Sequence, residues 1–315
     1  MTRVAAIDCG TNSIRLLVAD LDSGTSLTDV ERRMEVVRLG QGVDRTGRID
    51  PVALDRTVAA ARDYAETCTR HGVERIRFVA TSASRDAENR QDFVDGIHDA
   101  LGVLPEVITG DEEAELSFRG AVSSLAGGDH PGPCLVVDIG GGSTEFVLGQ
   151  DTVRAARSVD VGCVRLTERH LPTDPPTEEE IAAARREASA RIDEAAAVVP
   201  FGAARTLVGV AGTVTTVTAH ALDLPGYDAA AIDGAALTPD RVRASCADLL
   251  AAPRSARAAM PFMHPGRVDV IGAGALLWSD VVTRVEQDVA ADGGRLARVI
   301  TSEHDILDGI ALSLA

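Results

Sequence analysis

Two segments of the chain repeat one arrangement of residues able to bind phosphate. Asp8-Cys9-Gly10-Thr11-Asn12-Ser13-Ile14-Arg15 and Asp138-Ile139-Gly140-Gly141-Gly142-Ser143-Thr144-Glu145 each place an Asp ahead of a short run of Gly, Ser and Thr between apolar stretches. Such a turn presents consecutive backbone N–H groups and hydroxyls with little steric cover, which is the local chemistry of an anion nest. The Asp at each entrance offers a carboxylate to a cation. For either copy alone an ordinary hairpin is a sufficient explanation. The matched spacing of Asp, Gly and Ser argues instead for a phosphate chain held between two related domains. A third turn, Ala211-Gly212-Thr213, follows the apolar residues 206–210. Gly212 and Thr213 there permit backbone approach to a ligand, although a plain strand-to-helix turn also accounts for them.

An acidic cluster, Asp111-Glu112-Glu113-Ala114-Glu115, is the second source of chemistry. Carboxylates are favoured in the first turn of any helix by its macrodipole, so the cluster needs no functional explanation by itself. Helical spacing separates its members. Glu112, Glu115 and Arg119 fall on one stripe suited to exposed ion pairs, while Ala114, Phe118, Ala121 and Leu125 form the apolar stripe. Glu113 shares its face with Leu116 and Gly120, and the phase favours it as the carboxylate that points into a cleft.

The elements that must carry these groups are legible from the apolar pattern. Both Asp-led motifs read as strand, tight turn, strand. A helix is predicted from about residue 51 to 69, and a strand over residues 75–80 delivers Thr81-Ser82-Ala83-Ser84-Arg85 at its carboxyl end, where open α/β sheets place ligands. Residues 127–133, rich in Gly and Pro, are the clearest break and mark the domain boundary. Thr177-Glu178-Glu179-Glu180 is a capping box that starts a helix running to about residue 199. Val268-Asp269-Val270-Ile271 followed by Gly272-Ala273-Gly274 approaches a dinucleotide fingerprint, but Leu277 stands where its third Gly belongs; a strand running into a closely packed helix is the expectation.

Composition removes whole classes of function. The chain has 315 residues, 45% of them hydrophobic, enough for two domains or one large one with filled cores. It contains no lysine, so Walker A loops, kinase-type strand lysines and Schiff-base chemistry are excluded. Aromatic residues are only 3% and the net charge is −17, which argues against DNA or RNA as a partner. The five cysteines are scattered without a C-x-x-C pair, pointing to buried thiols in a reducing compartment rather than a disulfide framework or zinc site. The histidines follow no metal-ligand spacing; His264 and His304 are expected to be structural. No stretch is long enough to span a bilayer and no leader is visible, so a cytoplasmic protein is expected.

Taken together, the motifs resemble those of the exopolyphosphatase and guanosine-pentaphosphate phosphatase family of the actin and sugar-kinase superfamily, and most closely its short actinobacterial form. The resemblance rests on the two Asp-led turns, Ala80-Thr81-Ser82-Ala83-Ser84-Arg85, Thr109-Gly110-Asp111-Glu112-Glu113-Ala114, Gly209-Val210-Ala211-Gly212-Thr213 and Pro265-Gly266-Arg267-Val268-Asp269-Val270-Ile271, in that order along the chain. It implies an α/β protein of two ribonuclease H-like domains, residues 1–125 and 126–315, with a cleft between them and the last helix packing back on the first domain. It also implies Glu113 as the catalytic carboxylate, Asp138 and Glu145 as holders of Mg²⁺ or Mn²⁺, and Arg85 as a phosphate contact. The backbone of Gly10, Thr11, Asn12 and Ser13 and of Gly140, Gly141, Gly142, Ser143 and Thr144 would cradle phosphates, with Gly212 and Thr213 beside them. Asp8 either adds a water-mediated contact to the metal or caps its turn.

The implied activity is release of orthophosphate from polyphosphate. Conversion of guanosine pentaphosphate by the same chemistry, or a weakly catalytic alarmone sensor, are the alternatives, and a homodimer is the implied assembly. The longer bacterial forms carry further carboxyl-terminal domains. Their absence, the net charge, and Leu307-Asp308-Gly309 where many relatives have Arg-Glu-Gly predict a preference for short polyphosphate.

Overall fold

The computed structural model describes residues 1–22, 26–125 and 131–315. Four of the seven residues of the 127–133 break lie outside them. The chain divides into two compact units, Met1–Gly120 with Asp305–Ala315, and Ala121–His304.

The first unit is built from β1 (Thr2–Cys9), β2 (Ile14–Leu21) and β3 (Leu27–Glu35), the short α1 (Val43–Thr46), α2 (Pro51–Arg70), β4 (Arg75–Ala80), α3 (Ser82–Asp86), α4 (Arg90–Leu101), β5 (Glu106–Val107) and the part of α5 (Gly110–Leu125) up to Gly120. The second contains β6 (Cys134–Ile139), β7 (Thr144–Gly149), β8 (Val153–Val159), α6 (Cys163–His170), α7 (Glu178–Ala196), β9 (Thr206–Val210), α8 (Ala211–Ala221), α9 (Ala229–Ile232), β10 (Ala236–Leu237), α10 (Pro239–Ala251), α11 (Arg254–Ala258), α12 (Ile271–Ala291) and β11 (Val299–Thr301). The chain then returns to the first unit through α13 (Ile306–Leu312).

One sheet plan is used twice. The first sheet runs β3-β2-β1-β4-β5 and the second β8-β7-β6-β9-β11, with β10 added at its edge. In both, the hairpin strands are antiparallel and the strands beyond the first are parallel to it, the order of a ribonuclease H-like domain. Alternation along β1 explains why both faces of the first sheet are covered. Ala5, Ile7 and Cys9 join the core beneath α2 and α4, whereas Val4 and Ala6 join Leu116 of α5 and Ile306 and Ile310 of α13. In the second unit the buried Trp278 of α12 lies against Gly209 of β9, where a Cβ would come within 2.7 Å of its ring.

Residues 268–271 do not form the expected strand. Pro265–Arg267 is a 3-10 turn whose first free N–H, that of Gly266, bonds His264 Nδ1, and α12 begins directly at Ile271. The close packing of that helix holds, with Gly272 against Arg257 and Gly274 against Thr213. All five cysteines are buried and free. Among the described residues no helix is long and apolar enough to cross a membrane.

Candidate active site

Both Asp-led motifs fold as hairpins whose turns are stabilised in one way. In the first, Gly10 N–H bonds Ser13 O at 3.0 Å; in the second, Gly140 N–H bonds Ser143 O at 3.1 Å. A second segment then takes up the turn's carbonyl groups. Arg38 N–H bonds Asn12 O and Gly40 N–H bonds Thr11 O, each at 2.8 Å. At the other turn Cys163 N–H bonds Gly140 O, Val164 and Arg165 N–H both bond Gly141 O, and Arg165 Nε bonds Gly142 O at 2.8 Å. Among the described residues nothing accepts from the N–H groups of Thr11, Asn12 and Ser13, or of Gly141, Gly142 and Ser143. Carbonyls engaged and amides left open is the state of a turn that binds an anion.

The hydroxyls of these turns are less available than the sequence implies. Thr11 Oγ1 shares a 2.7 Å hydrogen bond with Ser82 Oγ, and Thr144 Oγ1 donates to Val161 O from a fully buried position. Asn12 Nδ2 is buried without an acceptor among the described residues.

Glu113 sits in the first turn of α5, only 7% exposed. Thr109 starts that helix: its Oγ1 accepts from Glu112 N–H and its carbonyl from Glu113 N–H. Arg85, from α3, reaches the same turn with one nitrogen, Nη1, donating to Ile108 O at 2.9 Å and to Glu113 Oε2 at 3.2 Å. Among the described residues its Nε and Nη2 donate to nothing, which leaves a guanidinium edge of the kind that can pair with an oxyanion. Glu112 turns away to Arg77 at 2.9 Å, and Arg119 donates to Leu312 O rather than to Glu112 or Glu115, so the expected pairs along that stripe do not form.

Asp8 belongs to a buried ion-pair network of the first unit. Its Oδ2 accepts from Arg15 Nη2 at 2.6 Å and Nε at 3.0 Å, and Arg15 also bonds Asp305, the N-cap of α13. Burial pushes the Asp8 carboxyl above its usual range, against the pull of Arg15. Asp8 caps no turn amide among the described residues.

Asp138 and Glu145 are direct cross-strand partners on β6 and β7, 7% and 1% exposed. Opposed residues of antiparallel strands share a face with their Cβ atoms about 5 Å apart, and two like charges there repel. Ser158, the partner of Glu145 on β8, donates to Glu145 Oε1 at 2.7 Å and fixes its orientation. Two buried carboxylates so placed are hard oxygen donors suited to Mg²⁺ or Mn²⁺. Among the described residues no three His, Cys, Asp or Glu side chains are grouped to hold a metal. A pair of carboxylates is a set that Mg²⁺ commonly takes from a protein where phosphates complete its coordination.

At the third turn Ala211 adopts φ 67° and Gly212 lies against the Arg267 guanidinium, which any Cβ at that position would overlap. Thr213 is buried against Gly274. The motif around residues 265–271 contains Arg267 without marking it for this turn; the sequence signal is Gly212, since no other residue leaves room for the guanidinium.

The sequence profile of the Ppx/GppA phosphatase family matches residues 17–297. The chain is also 52% identical to exopolyphosphatase 2 of Mycobacterium tuberculosis, over 100% of this chain and 99% of that protein. The chain belongs to the Ppx/GppA phosphatase family. Among solved structures of similar proteins, an exopolyphosphatase-like protein superposes with a TM-score of 0.96 at 47% identity, covering 100% of this chain and 98% of that one. An exopolyphosphatase from Cytophaga hutchinsonii gives 0.86 at 25% identity, covering 99% and 97%.

Proposed function

We infer that this Ppx/GppA protein is an exopolyphosphatase, hydrolysing the terminal phosphoanhydride bond of inorganic polyphosphate with release of orthophosphate. The observation that carries the reading is the pair of turns whose carbonyls are engaged and whose amides are open, in a chain so similar to a protein named for this activity. Phosphoanhydride hydrolysis passes through a loose transition state with charge on the equatorial oxygens, so positioning and electrostatics supply most of the catalysis. The open amides of residues 11–13 and 141–143 would hold phosphoryl oxygens. Arg85 would pair with them through its free edge while its Nη1 keeps Glu113 in place. Glu113 would orient the attacking water and take its proton. Asp138 and Glu145 would hold Mg²⁺ or Mn²⁺, whose charge, when bound, offsets that developing on the phosphoryl oxygens. No covalent nucleophile is required.

The test is orthophosphate release from polyphosphate of defined lengths, with guanosine pentaphosphate as the comparison substrate. Glu113→Gln is expected to lower kcat by about a hundredfold or more with KM nearly unchanged, because a general base acts in the transition state. Glu112→Gln, on the neighbouring residue that faces Arg77, is the control and should be nearly silent. The reverse pattern would overturn the assignment of the base. Chelation of divalent ions is expected to abolish release and added Mg²⁺ to restore it; full turnover in metal-free buffer would remove Asp138 and Glu145 from the proposed metal site.

A further inference from the structure

The two phosphate turns share a feature that the sequence motifs do not contain. Each is embraced by a distant segment that approaches through a glycine and carries an arginine. At the first turn the segment is Arg38-Leu39-Gly40, where a Cβ on Gly40 would overlap the Thr11 side chain and come within 3.1 Å of Ala83. At the second it is Gly162-Cys163-Val164-Arg165, where a Cβ on Gly162 would come within 2.7 Å of Gly140 O. We propose that Arg38 and Arg165 are substrate-affinity residues, each supplying a guanidinium to phosphoryl oxygens held by the turn beside it; this rests on the function proposed above.

Arg165 is half-buried, and its Nε–Gly142 O bond pins the guanidinium against the turn itself. Arg38 is held there by its backbone, since its N–H bonds Asn12 O. Its φ is 52°, a left-handed conformation that costs most side chains about 1 kcal/mol or more. Three non-glycine residues among those described adopt positive φ. Asp223 directly follows the C-cap of α8, where that conformation is ordinary, and Ala211 opens the third turn. Arg38 ends no helix, and Gly or Asn would fit its backbone without strain. Arginine at such a position is explained by its side chain. The chain has no lysine and a net charge of −17, so its permanently charged side-chain cations for a polyanion are arginines, and arginine pairs with phosphate through two N–H groups at once.

Steady-state kinetics on polyphosphate, with Arg38→Gly and Arg165→Gln as variants, test this. Arg38→Gly removes the charge and relaxes the backbone, and a thermal midpoint measured beside KM that holds or rises separates a loss of affinity from a folding defect. Each variant is expected to raise KM about tenfold or more with kcat within about threefold of wild type, as the loss of a charge-assisted hydrogen bond to substrate does. Arg38→Lys and Arg165→Lys should recover part of the affinity. KM within twofold of wild type for both charge-removing variants would overturn the inference. If Arg165→Gln fails to fold, Arg38→Gly and Arg165→Lys decide it by the same criterion, the lysine variant being required to bind more weakly than wild type. Absence of orthophosphate release by the wild-type protein would instead overturn the function on which the inference rests.

Discussion

Gly162 has no room for a side chain. An added Cβ would meet the carbonyl groups of Gly140 and Gly141, the same carbonyls that α6 engages to leave the turn's amides open. Gly162→Ala is therefore expected to distort the turn as well as the core, costing about 1–3 kcal/mol of stability and at least tenfold in orthophosphate release. Gly72→Ala is the matched control, because Gly72 has positive φ but open space around it. Its cost should be confined to backbone strain, with activity retained; urea midpoints and phosphate release on the two variants separate the cases. At this scale the open turns were legible because Gly, Ser and Thr types act locally. Gly162, Gly40 and the arginines beside them were not, since their meaning depends on which distant carbonyls they meet. Asp8 was ambiguous for the same reason: a carboxylate at a turn entrance does not announce that Arg15 and Asp305 will claim it.

Elements whose signals lie within a few residues were read correctly from the sequence, and α7 illustrates why. Thr177 Oγ1 accepts from Glu180 N–H at 3.3 Å and Glu180 Oε2 from Thr177 N–H at 2.7 Å, closing the expected capping box. The Thr173 hydroxyl first, and the Thr177 N–H next, hold the Glu180 carboxyl below its ordinary value of 4.5. A carboxyl with a depressed folded pKa stabilises the fold above the unfolded value and loses that contribution as pH falls through the folded one. Wild type should thus exceed Glu180→Gln in stability at pH 7, with the gap closing below about pH 4.5, while Thr177→Ala should cost about 1 kcal/mol. Denaturant titrations across pH check both; a gap that widens in acid would exclude the capping role. Residues 268–271 failed as a strand because an apolar run carries no information about the 3-10 turn that precedes it. At α13, Asp305 and Asp308 are both buried, and Asp308 accepts from Arg32 of β3 at 2.6 and 3.1 Å, a pairing that no neighbouring residue in the sequence signals.

At the scale of the whole molecule, duplication of the Asp-led motif pointed to duplication of the sheet, and the two strand orders agree. The net charge of −17 has a separate consequence for a polyphosphatase. Local cations can bind a polyanion well while the molecule's total field slows its arrival, because the two act over different distances. Raising ionic strength from roughly 10 mM to 150 mM shortens the screening length from about 30 Å to about 8 Å, removing the long-range repulsion before it weakens contacts at the turns. For polyphosphate at fixed Mg²⁺, kcat/KM is therefore expected to rise over that range while kcat stays constant. The effect should grow with chain length, since a longer polymer brings more charge into the field, so that a preference for short chains is strongest at low salt and narrows as salt is added. Initial rates on two defined lengths across the salt series measure this directly. A monotonic fall of kcat/KM from the lowest salt for both lengths would mean that attraction by the arginines, rather than the charge of the whole molecule, governs capture.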